Sequence, residues 1–115
     1  MKEEIQNKFG RVQIAESVIQ SIAGLAATEV KGVNSLAGGL NHGSITHADS
    51  RTLSRCVRVT IQEGKIGLKL AVILDGTVGV PEVARALQEK VKSSVEVMTG
   101  NEVTGVDVVV TGVNA

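Results

Sequence analysis

Val57-Arg58-Val59-Thr60-Ile61-Gln62-Glu63-Gly64-Lys65-Ile66-Gly67-Leu68-Lys69-Leu70-Ala71-Val72-Ile73-Leu74 decides the fold. Apolar residues occupy the odd positions before Glu63-Gly64 and the even positions from Ile66 onward, a two-residue period on either side of a turn. A two-residue hairpin loop pairs Gln62 with Lys65 and sets Ile61 opposite Ile66, Val59 opposite Leu68 and Val57 opposite Leu70. All the large apolar side chains then share one face. A slip of one residue would scatter them over both faces, so the register is well specified.

That apolar face needs a cover, and Val80–Met98 supplies one. Val80, Val83, Ala84, Leu87, Val91, Val95 and Met98 recur at helical spacing, while Arg85, Gln88, Glu89, Lys92 and Glu96 fall on the opposite side. Pro81 suits the first helical position, Glu82 suits the positive end of the helix dipole, and Gly100 marks the stop. Arg85–Glu89 and Lys92–Glu96 have the spacing of weak surface ion pairs. Val103–Gly112 then reads as a closing strand, with Val106, Val108 and Val110 on one side and Asp107 and Val109 on the other. If it runs parallel to the strand before the helix, the connection is a right-handed crossover.

Upstream, Glu16–Val30 reads as a first helix with Val18, Ile19, Ile22, Leu25, Ala26 and Val30 as its apolar stripe. Lys31-Gly32 is a helix-stop signal. Gly24 inside that helix costs about 1 kcal/mol relative to Ala. With Ser17, Ser21 and Thr28 it makes a second stripe of small residues, suited to close packing against the other helix or to docking another subunit. Gly10–Ile14 alternates and is read as a short strand or an extended lead-in, and Val33–Leu36 likewise. Residues 1–9 are expected as a flexible tail, and residues 37–55, rich in Gly, Ser, Thr and Asn, as a long surface loop. Residues 10–115 form one domain. The fold expected is α+β, with two helices on one face of a small three- to four-stranded mixed sheet in the order β-α-(β)-β-β-α-β.

Composition narrows the function. Apolar content of 43% with 21% charged residues is that of a globular protein. Twelve basic residues balance twelve acidic ones, which argues against strong nonspecific affinity for nucleic acid or anionic lipid, although a local patch is compatible with it. The single Cys permits no internal disulfide and fits a reducing compartment. Met1–Phe9 lacks the apolar core of a secretory signal, and no apolar run is long enough to span a bilayer.

No catalytic, metal or cofactor site emerges. His42, His47 and Asp49 lie near one another in the sequence, but lack the further converging ligands a metal needs. Cys56 stands without an orienting group or oxyanion pocket and reads as a half-buried structural thiol. Gly76-Thr77-Val78-Gly79 precedes a helix but lacks both the P-loop and the dinucleotide spacing. It reads as a turn.

Several stretches carry a family resemblance. Gly10-Arg11-Val12-Gln13-Ile14-Ala15-Glu16-Ser17-Val18, Ile22-Ala23-Gly24-Leu25-Ala26-Ala27 and Glu29-Val30-Lys31-Gly32-Val33 resemble the opening of the alkaline shock protein family. Val80-Pro81-Glu82-Val83-Ala84-Arg85-Ala86-Leu87-Gln88 and Met98-Thr99-Gly100, followed by a valine-alternating strand, resemble its second half. The resemblance covers residues 10–113; the 37–55 stretch departs from the usual family run. It implies a small cytoplasmic protein of the envelope and alkaline stress response, self-associating and held at the inner face of the membrane by a small membrane-anchored partner. No catalytic residues are implied. The candidate interaction surface comprises Ser17, Ser21, Gly24 and Thr28 on the first helix, and Ala71, Ile73 and Val109 on the outward side of the sheet. The reading is thus a non-enzymatic interaction protein, with neither nucleic-acid binding nor direct membrane insertion. Two alternatives differ in class: a KH-like single-stranded nucleic-acid binder, and a small enzyme using Cys56 or the loop histidines.

Overall fold

The computed structural model describes residues 2–114, with side chains from residue 8. Its centre is the long strand β5 (Lys65–Asp75). Strand β4 (Val57–Gln62) pairs with it antiparallel in the expected register: Val57 opposite Leu70, Val59 opposite Leu68, Ile61 opposite Ile66. Glu63 and Gly64 both take positive φ, 52° and 77°, as a two-residue hairpin turn of matching twist requires. On the other edge β6 (Val103–Asn114) runs parallel to β5, and α4 (Val80–Thr99) connects the two. The four-stranded sheet is completed by β3 (Val33–Leu36), antiparallel to the far end of β5. The architecture is α+β with a mixed sheet, as the periodicity predicts.

Strands β3 and β4 lie end to end along one edge of β5, since Leu36 stands opposite Val72 and Val57 opposite Leu70. They amount to one edge strand interrupted by residues 37–56. That excursion is not the irregular loop expected from its composition. It holds a 3-10 turn (Ala37–Gly39) and two short helices, α2 (His42–Ile45) and α3 (Ser50–Cys56). Asn41 caps α2 by accepting from the Ser44 N–H at 3.1 Å, and Asp49 caps α3 by accepting from the Thr52 N–H at 2.8 Å. Ile45 and Leu53, 0% and 2% exposed, anchor it in the core. One large apolar residue per short helix leaves no periodicity to detect.

Helix α1 (Glu16–Thr28) packs against α4, and both cover the apolar face of the sheet. The buried side of α4 follows Val83, Leu87, Val91 and Val95, but Val80 and Met98, expected in that stripe, are exposed at its two ends. On α1 the buried side is rotated from the expected stripe, to Ile19, Ala23, Ala26 and Ala27; Val18 faces out, and Ile22 and Leu25 are half-buried. The small residues are inside because α4 approaches closely there. Gly32, at φ 100°, makes the turn into β3, and a Cβ on it would meet Val83 Cγ2 at 2.8 Å. Glycine is required at that turn.

Residues 2–7, read as tail from their charge, form β1 (Lys2–Asn7), paired along its length with β2 (Gly10–Ala15). The hairpin signal was weak because Ile5 is the only large apolar residue in Lys2–Asn7. This ribbon is a separate two-stranded sheet. Of the expected surface ion pairs on α4, Lys92–Glu96 gives way to a different bond: the Glu96 carboxylate accepts from the Val103 N–H at 2.9 Å, tying the helix to the start of β6. Lys90 instead reaches Glu29 at 3.6 Å.

Candidate interaction surface

The alternation that buries Ile66, Leu68, Leu70, Val72 and Leu74 turns Gly67, Lys69, Ala71 and Ile73 to the opposite side. Both large helices lie on the first side, so the second is an open sheet face. Its residues fall into rows across β4, β5 and β6. Ala71 is the register partner of Val109, and Lys69 lies between Arg58 and Asp107. Gly67 lies between Thr60 and Gly105 in the next row. Ile73 stands one step further along, with Ser35 on one side and Gly112 on the other. The structure therefore brings Ala71, Ile73 and Val109 together as one apolar patch, on which Val109 is 40% exposed.

The other half of the expected surface is placed differently. Gly24 is buried, and a Cβ there would stand 3.1 Å from Leu36 Cδ1 and 3.6 Å from two carbons of Ile45. Ser17, Ser21 and Thr28 are half-buried. The Thr28 hydroxyl lies 2.9 Å from His42 Nδ1 and donates to the Gly24 carbonyl at 2.9 Å. The 36–45 segment of the same chain thus lies over Gly24 and Thr28, neither against the other helix nor open to a second subunit.

The excursion also holds the groups weighed as chemical candidates. Cys56 is buried, and its Sγ donates to the Ala37 carbonyl at 3.2 Å. Burial pushes its thiol pKa up, with Arg55 pulling weakly the other way. Less thiolate forms at neutral pH than on a free cysteine, the opposite of what a nucleophile needs. A hollow of about 440 Å3 opens beside it, lined by Gly38, Gly39, Ser44, Thr52 and Arg55. Among the described residues, no three or more His, Cys, Asp and Glu side chains are grouped to hold a metal ion. Among the described residues, no helix is long and apolar enough to cross a membrane.

Two features escaped the sequence. Gln20 is buried, and its Nε2 donates to the Val57 carbonyl at 3.0 Å and Ser54 Oγ at 3.2 Å, linking α1 to the root of β4. A polar residue on a helix gives no hint of such a bond. The second is the row Arg58–Lys69–Asp107; its signal was present, because the hairpin register alone sets Arg58 opposite Lys69.

Residues 4–115 match the alkaline shock protein 23 family, described as having a cell envelope-related function. Among curated proteins, the chain is 30% identical over 115 residues to the uncharacterized protein YloU of Bacillus subtilis, covering 98% of this chain and 96% of that one. It is 28% identical over 105 residues to the uncharacterized protein YqhY of the same organism, covering 91% and 78% respectively. An uncharacterized protein of Streptococcus pyogenes serotype M6 is 32% identical over 108 residues, covering 93% and 81%. No solved structure matches.

Proposed function

Because this chain belongs to the alkaline shock protein 23 family, of cell envelope-related function, we propose that it is a non-catalytic scaffold of the envelope stress response. It self-associates and docks onto a small membrane-anchored partner protein, working in the cytoplasm and at the inner face of the membrane. The observation that carries this reading is the sheet face opposite the two large helices: Ala71, Ile73 and Val109 form an apolar patch there, with Val109 40% exposed and Ala71 and Ile73 half-buried. Exposed apolar patches on a sheet, beside an edge strand as long as β6, favour protein contacts. The raised thiol of Cys56 supports a role without nucleophilic chemistry. The open-face residues placed above include no aromatic side chain, and Phe9, the only aromatic in the chain, lies in the turn of the β1–β2 hairpin. A single-stranded nucleic acid would therefore lack a stacking platform on that face.

Light scattering on the purified chain tests the reading. The wild type should run well above its 12.0 kDa protomer mass, and Ile73→Lys should shift it toward that mass while leaving the circular dichroism spectrum unchanged. An unchanged mass would remove the patch from the interface; a monomeric wild type at high concentration would remove self-association altogether.

A further inference from the structure

A like-charge pair and a stretch of bare backbone fall on one spot of the open face. Arg58 and Lys69 stand directly opposite each other on β4 and β5. Like charges so placed are destabilising. Neither takes part in an ion pair among the described residues, although Asp107 is the register neighbour of Lys69 on β6. In the next row Gly67 lies beside Gly105. A Cβ on Gly67 would meet Thr60 Oγ1 at 2.7 Å, so packing explains that glycine. Around Gly105 nothing lies within 4 Å of where a Cβ would stand, and its φ is not in the left-handed region. Gly105 stands at the register shift between β5 and β6, where Ile66 faces Val103 and the next residue, Gly67, faces Gly105. A strand glycine often marks such a bulge, and here its missing side chain also leaves the backbone open to close approach from outside.

These residues, with Thr104, line an open hollow of about 330 Å3. A second hollow of about 280 Å3 adjoins it, sharing Arg58 and Lys69 as walls and adding Arg55. Arg58 and Lys69, with Arg55 whose charge is shared with Asp49, outweigh the Asp107 carboxylate and leave the trough positive in a chain whose net charge is zero. A cross-strand pair of like charges kept on an exposed face breaks a local rule, and such breaks concentrate at functional sites.

We propose that this trough is an anion site that takes a phosphate group, presented either by a soluble phosphate ester or by a phospholipid headgroup. Guanidinium groups of Arg55 and Arg58 match phosphate oxygens in pairs, and the Lys69 ammonium adds a point charge. The missing side chain at Gly105 gives the phosphate room against the backbone. An anion between Arg58 and Lys69 turns their mutual repulsion into shared attraction. The site lies toward the β4–β5 hairpin and borders the apolar patch, since Ala71 and Val109 line its second hollow; anion binding and assembled mass are read by separate measurements.

The test uses the full chain at low salt with two probes: glycerol phosphate by calorimetry, and vesicles of phosphatidylglycerol against phosphatidylcholine by co-sedimentation. Arg58→Gln should weaken binding about tenfold, the loss of one charge-assisted contact. Asp107→Asn should tighten it, and Gly105→Val should block it. Arg58→Gln and Gly105→Val should also hold or raise the melting temperature, a combination that misfolding cannot produce. Binding of glycerol phosphate with this pattern identifies a soluble ester; binding to phosphatidylglycerol vesicles alone, with the same pattern, identifies a headgroup. Ile73→Lys should leave either result unchanged. Failure of the folded wild type to bind both probes overturns the proposal, as does binding indifferent to Arg58→Gln and Gly105→Val.

Discussion

The stripe Ser17–Ser21–Gly24–Thr28 on α1 and the trio Ala71–Ile73–Val109 on the sheet make the same offer to a partner in the sequence, and the fold treats them oppositely. Residues 36–45 of the same chain lie over Gly24 and Thr28, with Leu36 and Ile45 against Gly24. On the sheet, Val109 is 40% exposed and Ala71 and Ile73 are half-buried on the side away from the two large helices. The difference teaches that a smooth stripe is a vacancy any apolar segment can fill, and a nearby segment of the same chain fills it with the least loss of entropy. Gly24 and Gly105 repeat the contrast at single residues. One glycine has side chains pressed against it; the other has open space.

The comparison breaks most readily at Ile45. If that side chain holds the excursion on α1, Ile45→Ala should cost about 2–5 kcal/mol, since the site is fully buried. Chemical denaturation would measure it, and a loss under 1 kcal/mol would mean that the excursion is only loosely seated. Gly24→Leu comes next: overpacking against Leu36 and Ile45 should destabilise by about 1–3 kcal/mol despite the better helix former. On the open face the same measurement should barely move. Ile73→Lys is expected to alter stability by about 0.5 kcal/mol or less, while changing the assembled mass.

The smallest effect concerns the cap that starts α3. Hydrogen bonds from the Thr52 N–H and hydroxyl, helped by Arg55 and Arg51, hold the Asp49 carboxyl below its ordinary pKa. The folded value is lower than the unfolded one, so the stabilisation is complete above the unfolded pKa and fades as pH falls through the folded value. Amide exchange at Thr52 should accelerate in that acidic window, and Asp49→Ala should abolish the dependence. Exchange that ignores pH there would argue that the carboxylate does not cap α3.

Much of the fold was legible because it is written in periodicity. The β4–β5 register follows from alternation and a two-residue turn, and the α4 core follows from Val83, Leu87, Val91 and Val95. The excursion was not legible, because Ile45 and Leu53 each sit alone in a short helix among Gly, Ser and Thr. Asn41 and Asp49 read as loop residues until the helices they cap are seen. The sheet half of the candidate surface was readable as the outward parity of the strands. What lies against Gly24 and Thr28 was not readable, since parity and spacing show which residues share a side but not what lies over them.

The amino-acid sequence by itself determined the strand register, the second helix and the face on which the large apolar side chains gather, because these depend on neighbours within a few residues. Only the tertiary structure decided that residues 37–56 interrupt an edge strand and fold back on α1, that Gln20 bonds to the Val57 carbonyl, and that Gly67 lies between Thr60 and Gly105. Those are meetings between residues far apart in the chain. They are chosen by which arrangement buries the apolar surface and satisfies the polar groups at once, and no local pattern records that competition.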